Sequence, residues 1–306
     1  MKHVVVTGSG RSGTNRLLDI LDMHDLTLCR SEVHALDGDF GKLSVAESQD
    51  DLPADFIEQW SAAVASSIGK IGRRDRMKAD GKSYLNLAGR VFVPALRKTR
   101  LRKVVLAGDP DEWPIPRICL RPNATIVPVV KIQSRQSWLL RTHPVLSDQT
   151  VIHTLRNPAD YLNSWWKRWV SKIGPEEAYR RVCVLTAPIY EENGRPALPA
   201  EFSIENLVRG QLSIWRRSNG LISQLSGSSR YGLFRYEDVS SDPTGEAARI
   251  YDLAGLEFDD ETRQNVATMR NTLFKKTDTP SLDHDMVRSA MEDVLADCPL
   301  GSVYLH

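Results

Sequence analysis

The residues best equipped for chemistry lie near the N-terminus, where Val4-Val5-Val6 runs into Thr7-Gly8-Ser9-Gly10-Arg11-Ser12-Gly13-Thr14-Asn15. An apolar run, a glycine-rich turn and a helical pattern in succession set backbone N–H groups at the positive end of a helix dipole, where phosphate binds readily. Ser12 and Thr14 add hydroxyls to this loop, and Arg11 adds a cation. Gly8 and Gly13 have the spacing of the nucleotide-triphosphatase loop Gly-x-x-x-x-Gly-Lys-Ser/Thr, but Thr14 stands at the lysine and Asn15 at the Mg²⁺-binding hydroxyl. The loop therefore lacks the lysine that reaches terminal phosphates and the hydroxyl that holds the metal, which disfavours a metal-dependent kinase or ATPase. A dinucleotide fold also fits poorly. Gly8-x-Gly10-x-x-Gly13 is followed by no acidic residue at the end of a clear second strand, since Glu32 comes after Leu26–Arg30, a weak strand pattern.

A second group of suitable types is Leu155-Arg156-Asn157-Pro158, with Ser164 following. A strand ending in Arg156 and a helix started by Pro158 place Ser164 two turns along that helix. An arginine and a hydroxyl so placed can hold a dianionic phosphate that is not itself transferred.

These groups need a scaffold, and the apolar pattern supplies one. Val4–Thr7, Thr125–Ile132, Val151–Leu155 and Tyr231–Tyr236 are short, continuous apolar runs, as expected of parallel strands covered on both faces. Between them lie helical periods: Thr14–His24, Ala159–Lys172 with its stripe of Trp165, Trp166 and Trp169, Leu207–Leu225 and Ala247–Ala254. Strand, loop and helix in alternation predict an α/β fold, a single domain with a central parallel sheet flanked by helices. Pro188–Pro199 reads as a surface excursion, and the tryptophan stripe reads as core rather than as a binding face.

The chain has 306 residues with 40 Lys+Arg against 39 Asp+Glu, a formal charge of +1. That composition is globular and gives no reason to expect a nucleic-acid partner. The neutrality is a cancellation, because Lys70–Lys103 carries twelve Lys/Arg against Asp75 and Asp80, or +10, leaving −9 elsewhere. This stretch reads as a mainly helical insertion, either an acceptor surface or a solvated helical face. Cys29, Cys119, Cys183 and Cys298 form no metal-knuckle spacing and suit reduced thiols. No apolar run approaches the roughly 18 residues of a transmembrane segment, and the apolar part of the N-terminus is too short for a signal peptide. The expectation is a cytoplasmic enzyme without a metal, with homo-oligomerisation left open.

With these residues in view, the chain resembles the sulfotransferases that use 3′-phosphoadenosine 5′-phosphosulfate (PAPS). Their loop after the first strand commonly reads Arg/Lys-Ser-Gly-Thr-Thr, here Arg11-Ser12-Gly13-Thr14-Asn15 with Asn15 as the departure. Arg156-Asn157-Pro158 with Ser164 resembles the family's 3′-phosphate motif, and Leu21-Asp22-Met23-His24 through Cys29 and Glu32 is similar to the tyrosyl-protein and related bacterial branch. Phe234-Arg235-Tyr236-Glu237-Asp238 resembles a structural strand end, and Asn271-Thr272-Leu273-Phe274-Lys275 a segment lining the adenine pocket. The likeness runs from Val4 to about Lys276 and leaves Leu36 to Pro122 unmatched.

The resemblance implies a P-loop-containing nucleotide-binding fold over residues 1–306, with an insertion at about 36–122. It also implies transfer of a sulfuryl group from PAPS, with PAP as product, to a hydroxyl on a small molecule, carbohydrate or lipid-linked acceptor. Backbone N–H groups of Ser12 to Asn15 would hold the 5′-phosphate, Arg156 and Ser164 the 3′-phosphate, and Thr272, Phe274 and Lys275 the adenine. Arg11 and Lys131 would be the catalytic cations. The cytosolic branch ends a strand in Lys-x-His with the histidine as base; here that strand ends Lys131-Ile132-Gln133, so Glu32 takes the role, with His34 in reserve and His143 and His153 structural. The competing readings are a nucleotide-dependent P-loop phosphotransferase and a catalytically silent nucleotide-binding scaffold.

Overall fold

The computed structural model describes residues 3–30, 55, 70–71, 82–98, 113–114, 117–123, 125–132, 149–269 and 282–305. Five strands, β1 (Val4–Gly8), β2 (Thr27–Arg30), β5 (Val127–Lys131), β6 (Thr150–Leu155) and β7 (Tyr231–Arg235), form one sheet in the order β2-β5-β1-β6-β7. Every pairing in it is parallel. The four expected strands are present within a residue or two of their predicted limits. Thr27–Arg30, too weak to stand out by pattern, is added as an edge strand by its pairing with β5. The remaining pair, β3 (Lys70–Ile71) and β4 (Trp113–Pro114), is antiparallel.

The sheet is covered on both faces, as continuous apolar strands require. Val4 and Val6 face α1 (Thr14–Leu21) and a later helix, packing with Leu17, Leu21, Ile250 and Tyr251. The Tyr251 hydroxyl donates to the Ile20 carbonyl at the end of α1. On the opposite side, Leu155 packs with Tyr161, Leu162, Leu212 and the fully buried Trp215.

Register decides where the chemistry sits. Val6 lies opposite Lys131 on one side and Ile152 on the other, Gly8 lies opposite Thr154, and Leu155 lies opposite Arg235. The C-terminal ends of β1, β5, β6 and β7 are therefore level. The loop after β1, Lys131, Arg156 and Tyr236 all emerge along one edge, which in an open α/β sheet is where ligands bind.

In the inserted region, α2 (Leu87–Lys98) is helical as expected, while β3 and β4 are not. Reading its basic residues as one surface is corrected at Lys82, which is 1 % exposed. Its ammonium donates to the carbonyls of Asp22 (2.7 Å), His24 (2.9 Å) and Thr27 (2.9 Å) and to the Thr27 hydroxyl (3.3 Å). An ion pair with the Asp22 carboxylate at 3.0 Å completes the cluster. Lys82 thus satisfies buried carbonyls of the turn that leaves α1 and ties the inserted region to the entry of β2.

α3 (Pro158–Trp165) starts on two signals at once. Pro158 occupies the first turn and the Asn157 side chain accepts from the N–H groups of Ala159 (2.9 Å) and Asp160 (3.5 Å). The helix then widens into a π-helical turn, Trp166–Val170, and closes with Ser171–Ile173. The excursion expected at Pro188–Pro199 is shorter than predicted, because α4 (Pro175–Glu192) runs straight through Pro188. The carbonyl that proline leaves without its N–H partner is that of Val184, whose side chain is 73 % exposed, so water can satisfy it. The opposite face, with Ala178, Tyr179 and Val182 buried beside Leu207, keeps the helix continuous. α5 (Ile204–Ser223) packs along it, capped by the Ser203 hydroxyl accepting from Asn206 N–H at 3.0 Å.

Candidate active site

The loop after β1 is held in its shape by two left-handed residues, Arg11 (φ 73°) and Gly13 (φ 98°). Such alternation turns successive N–H groups toward one point and forms an anion nest. Glycine is required at position 13 for a second reason. A Cβ there would stand 2.1 Å from Cδ2 of Tyr236, the residue that follows β7. The Tyr236 ring in turn lies under the Arg156 guanidinium, 4.7 Å from its centroid. Loop, strand end and arginine are thus stacked as one unit.

The Ser12 N–H closes a turn to the Ser9 carbonyl (3.0 Å), so one of the four expected backbone donors is spent within the loop. The hydroxyls of Ser9 and Ser12 are buried and have no hydrogen-bond partner among the described residues. Buried hydroxyls without partners are rare in a folded protein and call for an acceptor from outside it. Asn15 Oδ1 accepts from Lys131 Nζ at 3.3 Å. In a nucleotide-triphosphatase loop that position holds a metal-binding hydroxyl; here an ammonium stands beside a carboxamide.

Arg11 joins the loop to the second motif. Its Nε–H donates to Ser164 Oγ (3.1 Å), and its carbonyl accepts from Arg156 Nη1 (3.1 Å). Residues separated by some 150 positions in the chain therefore meet at Arg11, one at its side chain and one at its carbonyl. Burial, then Arg168, then Arg156 lower the affinity of Arg11 for its proton. The like charges raise the cost of this arrangement and give an incoming anion something to neutralise.

Arg11, Lys131 and Arg156 line a cavity of about 860 Å³ beside Gly8–Asn15. Its other wall is apolar and comes from three helices: Trp165 and Trp169 from α3 and its π turn, Val182 and Leu185 from α4, and Ile214 from α5. The volume falls in the range of small-ligand sites.

The expected residues divide as follows. Arg11, Ser12, Gly13, Thr14, Asn15, Lys131, Arg156 and Ser164 are brought to one edge of the sheet. Glu32, His34, His143, Gln133, Thr272, Phe274 and Lys275 lie outside the described residues. His153 is fully buried within β6, with Nδ1 2.7 Å from the Tyr231 hydroxyl and Nε2 3.0 Å from Asn219 Oδ1. That burial pushes its pKa down to about 4, as befits a neutral core histidine. Glu237 is structural, accepting from the Asn157 N–H (2.8 Å) and the Tyr304 hydroxyl (3.3 Å). The tryptophan stripe splits: Trp165 and Trp166 pack against the core as expected, while Trp165 and Trp169 also line the cavity.

Sequence reasoning missed Tyr236 and Arg168. Tyr236 sits in a motif that reads as structural, and its role shows only through the missing Cβ of Gly13. Arg168 could have been found from its spacing, since Ser164 and Arg168 share a helical face.

No curated protein sequence matches the chain. Among solved structures, similarity extends to a sulfotransferase from Alicyclobacillus acidocaldarius (12% identity, 100% of this chain and 96% of that one, TM-score 0.48). It extends also to the sulfotransferase domain of the Synechococcus PCC 7002 olefin synthase (14% identity, 100% and 95%, TM-score 0.43). Retinol dehydratase, solved with androsterone and inactive cofactor PAP, is a third (12% identity, 97% and 68%, TM-score 0.34). The family profile described as "Sulfotransferase domain" matches residues 1–289, nearly the whole chain, and the protein belongs to that sulfotransferase family.

Proposed function

We propose that this sulfotransferase uses PAPS as donor and a hydroxyl compound as acceptor, without a metal ion. The observation that carries the reading is Arg11, whose side chain reaches Ser164 while its carbonyl is held by Arg156. One residue thereby couples a loop suited to a 5′-phosphate with a pair suited to a 3′-phosphate. The residues present fit such a donor: two buried hydroxyls need acceptors, and the loop passes close over Tyr236 with no side chain at Gly13.

When bound, PAPS supplies a sulfuryl group whose bond to a 5′-phosphate oxygen breaks as a bond to the acceptor oxygen forms, with the acceptor proton passing to a base. The protein's own groups divide the work. The N–H groups of Gly13, Thr14 and Asn15 and the Ser12 hydroxyl hold the 5′-phosphate. Arg156 and Ser164 hold the 3′-phosphate, and Thr272, Phe274 and Lys275 line the adenine pocket. Arg11 and Lys131 stabilise the charge that grows on the leaving oxygen, a service worth several kcal/mol where water is excluded.

Glu32 is the general base in this reading. Support comes from β2, whose last residue, Arg30, pairs with Val130, the neighbour of Lys131, and precedes Glu32 by two positions in the sequence. The unit is a single domain, 1–306, with residues 36–122 as its insertion. No helix among the described residues is long and apolar enough to cross a membrane.

Thermal unfolding tests the donor assignment. PAP in EDTA at a hundredfold excess over its Kd should stabilise by about 2.7 kcal/mol, a rise of several degrees in Tm. Stabilisation by ATP-Mg²⁺ with no response to PAP would replace this reading with a phosphotransferase.

A further inference from the structure

The apolar wall of the cavity carries a cation, Arg168, to which the donor reading gives no role. Tyr161, Trp165, Arg168 and Trp169 follow one another along one face of α3 and its π turn, and all four line the cavity. The face rises from the interior to the mouth: Tyr161 is buried, Trp165 is half-buried and Trp169 is 51 % exposed. Ser164, which anchors Arg11, belongs to the inner part of this face. Arg168 lies one turn further out, beside Trp169.

On the facing wall, Arg181 is already engaged, donating through Nε to Glu177 at 2.8 Å. Arg168 has no carboxylate partner among the described residues, and the nearby charges acting on it include the like-charged Arg11. An exposed arginine is ordinary. One that lines a ligand cavity between two tryptophans, with a guanidinium nearby and no carboxylate partner among the described residues, is suited to an anion delivered by the ligand.

Resting on the sulfotransferase reading above, we propose that the acceptor is a hydroxyaryl acid. Its ring lies against Trp165 and Trp169, its carboxylate pairs with Arg168, and its hydroxyl points toward Arg11 and the donor. Flat indole surfaces favour an aryl body over a flexible chain. The guanidinium at the mouth, rather than at the inner end, favours an acid at the end of the molecule remote from the reacting hydroxyl.

The test compares 4-hydroxybenzoate, 4-hydroxyphenylacetate and 4-hydroxyphenylpropionate with their amides, using wild type, Arg168→Gln and Arg168→Lys. Transfer from PAPS is followed, and in parallel each compound is titrated into the protein–PAP complex. Wild type should prefer at least one acid over its amide by tenfold or more in kcat/KM, less so at high salt. In Arg168→Gln the preference should collapse to within threefold of unity, while Arg168→Lys keeps part of it and the Kd for PAP moves less than twofold in both.

Preference for the amides, or a preference that survives Arg168→Gln, overturns the proposal. So does a tenfold loss of PAP affinity in Arg168→Gln with acid-to-amide discrimination unchanged, which would assign Arg168 to the donor. PAP binding without response to any acid in either assay overturns the acceptor class and leaves the donor reading standing. Absence of PAP binding by wild type would overturn the reading beneath it.

Discussion

Replacing Lys82 by methionine removes an ammonium from a cluster of buried oxygens. The side chain is 1 % exposed and donates to three carbonyls at 2.7–2.9 Å while pairing with Asp22, itself 2 % exposed. Methionine fills similar volume, so little of the effect comes from a cavity. What remains is a buried carboxylate that has lost the Lys82 cation and three carbonyls that have lost its charged N–H donors. Breaking a buried pair from one side costs about 3–5 kcal/mol, and the carbonyl bonds, each worth roughly 1.5–3 kcal/mol to a charged donor, are part of that sum rather than additional to it. The expected loss is about 3–5 kcal/mol. Urea unfolding reads it directly: with a slope near the upper end of the ~1–3 kcal/mol/M range, the midpoint falls by about 1–2 M. The double variant Lys82→Met/Asp22→Asn should recover a substantial part, because the orphaned charge is gone. A single-variant loss below 1 kcal/mol, or a double variant no better than the single, would refute the reasoning. Because the cluster fixes the turn entering β2, the single variant should also lose turnover in proportion to the displacement of the segment that leads to Glu32.

Arg156→Ala should weaken PAP binding by about 1.5–3 kcal/mol, the scale of a charged hydrogen bond, while 5′-AMP binding changes little; calorimetric titration of the two ligands checks this. Glu32→Gln should abolish sulfuryl transfer with PAP affinity within about tenfold, a difference of roughly 1.4 kcal/mol, and surviving turnover would remove Glu32 from the base role. Gly13→Ala forces a left-handed alanine against Tyr236, so it should lose more than the ~1–2 kcal/mol that the conformation alone costs, together with PAP binding. His153 titrates near 4 in the fold against 6.5 when free, so its contribution is complete above pH 6.5 and is lost as pH falls toward 4. Between pH 7.5 and 5 that loss is about 2 kcal/mol, and His153→Gln should flatten urea-derived stability over that interval by about the same amount.

Much of this arrangement was legible in the sequence, for physical reasons. Buried parallel strands must be apolar throughout, so Val4–Thr7, Val151–Leu155 and Tyr231–Tyr236 stood out, and the loop around Arg11 and Gly13 and the strand end at Arg156 were legible as motifs in order rather than singly. β2 was weak because a short edge strand such as Thr27–Arg30 needs little apolar content of its own and is held by β5. Lys82 was misread because charge counts say nothing of burial, and its partners are mostly backbone carbonyls that leave no mark in a sequence. Pro188 read as the start of a surface excursion, yet the helix Pro175–Glu192 runs through it, since a solvent-facing carbonyl tolerates the lost bond. Tyr236 belongs to the site through its stacking under Arg156 and Arg168 through the cavity it lines, neither of which is written in the sequence.

The central claim is that this chain moves a sulfuryl group from PAPS with its own cations in place of a metal. Sulfur-labelled PAPS incubated with the protein, excess EDTA and a panel of hydroxyl acceptors tests it most directly. Label appearing on an acceptor with one PAP formed per transfer is the predicted result. Label remaining on PAPS, while the terminal phosphate of ATP is transferred in the presence of Mg²⁺, would contradict it.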